Sequence, residues 1–114
     1  MPKKTIKKLD DNVVKALTIA CEEAKLKVTG FDWLTHSASY DNFPASLVIT
    51  CVFQTKNDLE HSKQQEFDIY MKRLIQAQLL KVGIVLKNAR NQIRFDSEEA
   101  CHLEHGGNWK LRLK

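Results

Sequence analysis

Cys101 and His105 stand four residues apart, a spacing that puts both side chains on one face of a helix and within reach of one metal ion. His102 and His36 are the nearest additions. A structural zinc site gathers four ligands, often as two close pairs, and this chain offers one pair, so no metal site is expected. Cys51 lies between Ile49 and Phe53 in an apolar run, the setting of an inert buried thiol rather than an activated nucleophile. Asp96, Glu98 and Glu99 cluster where a helix should begin, and acids there complement the helix dipole without any catalytic duty. There is no phosphate-cradling glycine loop and no dinucleotide fingerprint. The expectation is a protein that is not an enzyme and carries no cofactor.

Two arrangements suit binding instead. Trp33, His36, Tyr40 and Asn42, with Phe43 beside them, form an aromatic and polar cluster. On a partly open sheet face they would serve a ligand, a partner or unstacked bases, and as plain core aromatics they would need no ligand. Strand alternation sets Trp33 on the opposite face from His36 and Tyr40 unless a bulge intervenes. The second arrangement is electrostatic. The chain of 114 residues has a formal net charge of +4, but the charge is concentrated at the ends. Lys3, Lys4, Lys7 and Lys8 fall in residues 1–8 without an acid, and Lys110, Arg112 and Lys114 fall in 110–114 without an acid. Between them lie eleven basic side chains and all fourteen acidic ones, a net of −3. Basic ends of this kind contact phosphates without reading sequence and make association salt-dependent.

These residues must be positioned by elements that the apolar pattern predicts. Val14, Leu17, Cys21, Ala24 and Val28 recur every three or four residues, which predicts a helix over 11–28 capped by Asp10 or Asp11 and stopped at Gly30. Strands follow over 31–40 and 46–55, joined by Tyr40-Asp41-Asn42-Phe43-Pro44. The second is apolar on both faces and should be central, whereas the first is mixed and should form an edge. A long helix is predicted over 62–82 with Ser62 and Gln65 as a capping box, ended by Gly83. Short strands over 84–87 and 92–95 around Asn88-Ala89-Arg90-Asn91 read as a hairpin. A last short helix, capped by Asp96 or Ser97, ends at Gly106-Gly107. The order α-β-β-α-β-β-α predicts an α+β fold, a mostly antiparallel four-stranded sheet with helices on one face. The whole chain, 1–114, reads as a single domain with flexible basic ends at 1–8 and 110–114.

No apolar run reaches the length of a membrane helix, and MPKKTIKKLDDN lacks the apolar stretch of a secretory signal. Three widely spaced cysteines suit a reducing compartment, so a cytoplasmic protein with no membrane partner is expected.

The stretches Phe31-Asp32-Trp33-Leu34-Thr35-His36 with Tyr40-Asp41-Asn42-Phe43-Pro44, and Phe95-Asp96-Ser97-Glu98-Glu99-Ala100-Cys101 with His105-Gly106-Gly107-Asn108-Trp109, resemble a group of small bacterial proteins sometimes labelled as Fis-family regulators. That resemblance covers nearly the whole chain and implies DNA binding. The Fis plan ends in a helix-turn-helix, and none is evident in the last third here, so no Fis functional residue carries over. The expected function is a small non-enzymatic binding protein, associated with nucleic acid through its basic termini. The alternative is a homodimeric interaction module that uses the open sheet face or edge near residues 31–40.

Overall fold

A computed structural model describes residues 3–114. The first helix, α1 (Lys3–Lys27), begins eight residues before its expected start. Ile6 and Leu9 continue the stripe that Val13, Ala16, Leu17, Ala20 and Ala24 bury, so the helix has an apolar face over its full length. Asp10 and Asp11 lie inside it rather than capping it, and Lys7 Nζ pairs with Asp11 one turn on at 2.9 Å. Gly30, at φ +84°, reverses the chain, and a Cβ there would sit 2.5 Å from Asp58 Cγ.

Strand β1 (Phe31–Ser37) pairs antiparallel with β2 (Val48–Phe53), and a 3₁₀ turn, Tyr40–Asn42, lies between them. Helix α2 (Lys56–Gln64) is capped by Thr55, whose hydroxyl accepts from the Asp58 N–H at 2.9 Å. Ser62, expected as a cap, is buried inside α2. The single helix expected over 62–82 is therefore two, with α3 (Phe67–Lys81) starting after Glu66, which takes a left-handed φ of 60°.

The expected hairpin is also replaced. Residues 84–87 form no strand; Ile84 and Leu86 bury their side chains from an irregular segment. A four-residue helix, α4 (Ala89–Gln92), then leads into β3 (Ile93–Ser97), which runs parallel to β2. The Gln92 side chain explains the outcome. Its Nε2 donates to Pro44 O at 2.8 Å and to Leu47 O at 2.9 Å, while its Oε1 accepts from the Asn88 N–H. That amide ties the turn at 88–92 to the β1–β2 connection and delivers β3 to the free side of β2. The fold is α+β with a three-stranded mixed sheet ordered β1-β2-β3, in place of a four-stranded antiparallel one. The central β2 and edge β1 are as expected.

Ser97 caps α5 (Glu98–His105) and Asn108 caps α6 (Trp109–Arg112), with Gly106 closing α5 at φ +59°. Helices flank both faces of the sheet rather than one. Leu47, Ile49, Cys51 and Phe53 point into the main core with α1 and α3. Val48, Thr50 and Val52 point the other way, toward α5 and α6. Among the described residues no helix is long and apolar enough to cross a membrane.

Candidate functional site

A one-residue irregularity in β1 decides what the second face carries. Phe31 pairs with Phe53, but Trp33 pairs with Val52, so the register slips at Asp32 and Trp33 turns away from the core face that Phe31 occupies. From there Trp33, Thr35 and Ser37 share the second face. Read across the sheet, the register gives rows: Trp33, Val52 and Asp96; then Thr35, Thr50 and Arg94; then Ser37 and Val48.

The C-terminal helices cover only the first row. The Trp33 indole donates to Glu98 Oε1 at 2.6 Å and the Trp109 indole donates to the same oxygen at 3.2 Å. The two rings meet edge to face at 5.0 Å. At the β3 side of the same row, Arg112 closes a fork on Asp96, with Nε to Oδ2 at 2.6 Å and Nη2 to Oδ1 at 2.9 Å. Arg112 also reaches Glu104 at 2.9 Å and lies 3.1 Å from His105 Nδ1. The Asp96 contact, with Glu104 adding to it, holds the guanidinium above its ordinary pKa.

The next two rows stay open and floor a cavity of about 360 Å³. Thr35, Ser37 and Thr50 supply hydroxyls, Arg94 stands at one side, the Arg112–Asp96 pair closes the end, and Leu113 and Lys114 form the rim. Thr50 is only 6% exposed, and its hydroxyl makes no hydrogen bond to another described residue.

The expected aromatic and polar cluster does not converge as one site. Trp33 is clamped under α6 on the second face. His36 and Tyr40 turn to α1, where Asp10 Oδ1 accepts from the Tyr40 hydroxyl at 2.5 Å and lies 3.4 Å from His36 Nε2. The Tyr40 contact holds the Asp10 carboxyl below its ordinary value, while burial, with Asp10 adding to it, pushes Tyr40 up to about 12. Asn42 is exposed in the 3₁₀ turn, and Phe43 stacks on Tyr40 at 5.2 Å. His36 also borders the cavity, from the strand between Thr35 and Ser37.

The basic residues separate by role. Lys3, Lys4, Lys7 and Lys8 project from the first turns of α1, and residues 1 and 2 of that end lie outside the described residues. Lys110 is exposed on α6, Lys114 lines the cavity, and the Arg112 charge is taken up by carboxylates. Because Asp10 meets His36 and Tyr40, the lysines before it lie beyond the Ser37 end of β1. Lys114 reaches the same end from the other face, beside His36 and Ser37.

Cys101 is fully buried, and its helix partner His105 faces Arg112. Among the described residues no group of three or more His, Cys, Asp or Glu side chains converges on a point. Burial pushes the Cys51 thiol up to about 12 and raises Cys21 and Cys101 as well.

The sequence reading passed over Thr50, Arg94 and the Arg112–Asp96 fork. The signal for Thr50 was present, as the one hydroxyl between Val48 and Val52 on a face that is otherwise apolar along β2. Arg94 and Arg112 carried none, because only the register of β3 and the docking of α6 bring them to that row. No protein-family model, no curated protein and no solved structure matches this chain.

Proposed function

We propose that the protein binds nucleic acid as a polyanion, without reading its sequence, through the basic end of the molecule. The observation that carries this reading is the Asp10–Tyr40–His36 contact, which fixes the lysine-bearing start of α1 at the sheet end that also holds Arg94 and Lys114. At the opposite end Glu22, Glu23, Asp32, Glu98 and Glu99 stand among Lys25, Lys27 and Lys56, so charge there is mixed. A concentration of lysines at one end orients an approaching polyanion and raises its association rate. The DNA binding implied by the Fis resemblance would here use phosphate contacts alone, since α5 and α6, with eight and four residues, pack on the sheet.

The test is fluorescence anisotropy with labelled single- and double-stranded DNA and RNA. Binding should weaken steeply between about 50 and about 200 mM salt. Replacing Lys3, Lys4, Lys7 and Lys8 together by Gln should flatten the logarithmic salt slope by up to about 3. No binding at the lower salt, or an unchanged slope in the variant, overturns the proposal.

A second reading rests on a different observation. Among the described residues β1 pairs only with β2, and a groove of about 430 Å³ between α1 and β1 runs beside that strand, lined by Val14, Leu17, Cys21 and Leu34. A second copy pairing along this edge would make a homodimer. Sedimentation at tens of micromolar, roughly where modest interfaces associate, would show monomer alone if that reading fails.

A further inference from the structure

We infer that the cavity floored by Thr35, Thr50 and Arg94 is a binding site for a small phosphate monoester. This does not rest on the nucleic-acid reading: the cavity lies on the sheet, and the lysines of α1 take no part in it.

Three features of the row carry the inference. The first is position. Thr35, Thr50 and Arg94 are direct neighbours across three strands, so their side chains rise side by side about 5 Å apart from one rigid surface. The second is an accessible hydroxyl on an otherwise enclosed residue. Thr50 sits on the central strand, is only 6% exposed and lines the cavity. Among the described residues Ser62 Oγ in α2 is the one enclosed side-chain oxygen without a partner, so the Thr50 hydroxyl is reached from the cavity, where Val would match the residues on either side of it along that face. The third is the sign of the walls. Among the described residues Asp96 is the one carboxylate side chain lining the cavity, and Arg112 occupies both of its oxygens. The other polar lining is rich in donors: Thr35, Ser37 and Thr50 carry hydroxyls, Lys114 stands at the rim, and the Arg94 guanidinium makes only a long hydrogen bond, 3.4 Å, to Asn91 O.

Donors in that number suit a phosphate, which offers more acceptor oxygens than a carboxylate and draws charge-assisted bonds from a guanidinium. The volume of about 360 Å³ exceeds a bare phosphate and falls in the lower part of the range for small-ligand pockets. Val48, Phe95 and Leu113 line the part that the phosphate would leave free. An organic group esterified to the phosphate would fill that part, as in a nucleoside monophosphate.

Calorimetric titration of the full chain with a nucleoside monophosphate, inorganic phosphate and sulfate tests the site. The monoester should bind more tightly than phosphate, and phosphate more tightly than sulfate. Thr50→Val keeps the β-branched shape on β2, and Arg94→Gln keeps the length of an exposed side chain, so both variants should fold as the parent does. Each should weaken monoester binding by about tenfold or more, since each removes a bond to a charged oxygen. No binding of the monoester up to about 10 mM, or equal binding by parent and Thr50→Val, overturns the inference. Equal affinity for monoester and sulfate overturns it too. The quadruple Lys→Gln variant of α1 separates the two proposals. It should weaken oligonucleotide binding, flatten its salt slope and keep the monoester, and loss of the monoester as well would place it on the lysines and not in the cavity.

Discussion

The two faces of the sheet are built from alternate residues of the same strands, yet different physics holds them. Toward α1 and α3, β2 presents Ile49, Cys51 and Phe53, with Leu47 just before it, each shielded from water and packed on apolar neighbours. Toward α5 and α6, the sheet presents Trp33, Asp96 and the Thr35–Thr50–Arg94 row, and the cover is held by a shared glutamate and an arginine fork. The first face is non-directional and tolerant of what surrounds it, because burial depends on area. The second depends on a few directed bonds and covers part of the sheet only. On the first face the apolar cover leaves only the groove beside the edge strand β1. The cavity on the second exists because the directed cover ends two rows short.

The comparison is broken most directly at Phe53. Truncating it to Ala should cost about 3–5 kcal/mol in urea unfolding, the range for a large buried aromatic. It is fully buried and meets Phe31 edge to face at 5.8 Å, so partial collapse cannot refill the space cheaply. A loss below about 1 kcal/mol would mean that the apolar face is not the main support of the fold.

On the other face, Arg112→Ala should cost about 2 kcal/mol, since Asp96, at 19% side-chain exposure, loses both partners of its fork. Much of that cost belongs to the orphaned carboxylate. The double variant Asp96→Leu with Arg112→Leu should therefore recover most of the loss. If the double variant is as unstable as the single one, packing of α6 and not the ion pair holds the cover.

The thiols sharpen the contrast without changing shape. At pH 8, alkylation of the native protein should reach half-buried Cys21 first and leave Cys51 and Cys101 until the chain unfolds. Burial raises Cys51 to about 12 from its ordinary 9, so its contribution to stability is complete below about pH 9 and is lost as pH rises toward 12. Cys51→Val, titrated against the parent, should remove that part of the alkaline loss. Early labelling of Cys51 would show that the α1 side opens more readily than its packing implies.

What was legible in the chain follows the same division. The helical period of α1, the central character of β2 and the stop at Gly30 are local patterns, and the residues that make them are consecutive or one turn apart. The expected stripe of α1 ran to one side of the true one, since Val14 is exposed and Val13, Ala16 and Ala20 are buried instead. The start of α1 was misplaced because Asp10-Asp11 imitates a cap while serving as partner to Tyr40, His36 and Lys7. The break at Glu66 has neither Gly nor Pro to announce it, and a left-handed glutamate is accepted only because the flanking helices fix it. The parallel placement of β3 depends on where the Gln92 amide finds its carbonyls, forty-five or more residues away. The cavity row needs three registers at once, including the slip at Asp32, and no spacing within one segment encodes it.

The smallest expected effect separates the two faces most cleanly. Thr50→Val should leave stability unchanged or raise it by up to about 1 kcal/mol, because it replaces a cavity-facing hydroxyl with a methyl group and leaves no protein donor or acceptor unpaired. Every residue β2 sends to the other face is buried and apolar, and the same kind of polar-to-apolar exchange has no counterpart there. A loss above about 1 kcal/mol on equilibrium unfolding would mean the hydroxyl is already satisfied, by an ordered water or by Thr35 across the strand pair. It would then belong to the fold as Phe53 does. A neutral or stabilising outcome leaves Thr50 as a residue the fold does not require, set in the central strand on the floor of a donor-rich cavity.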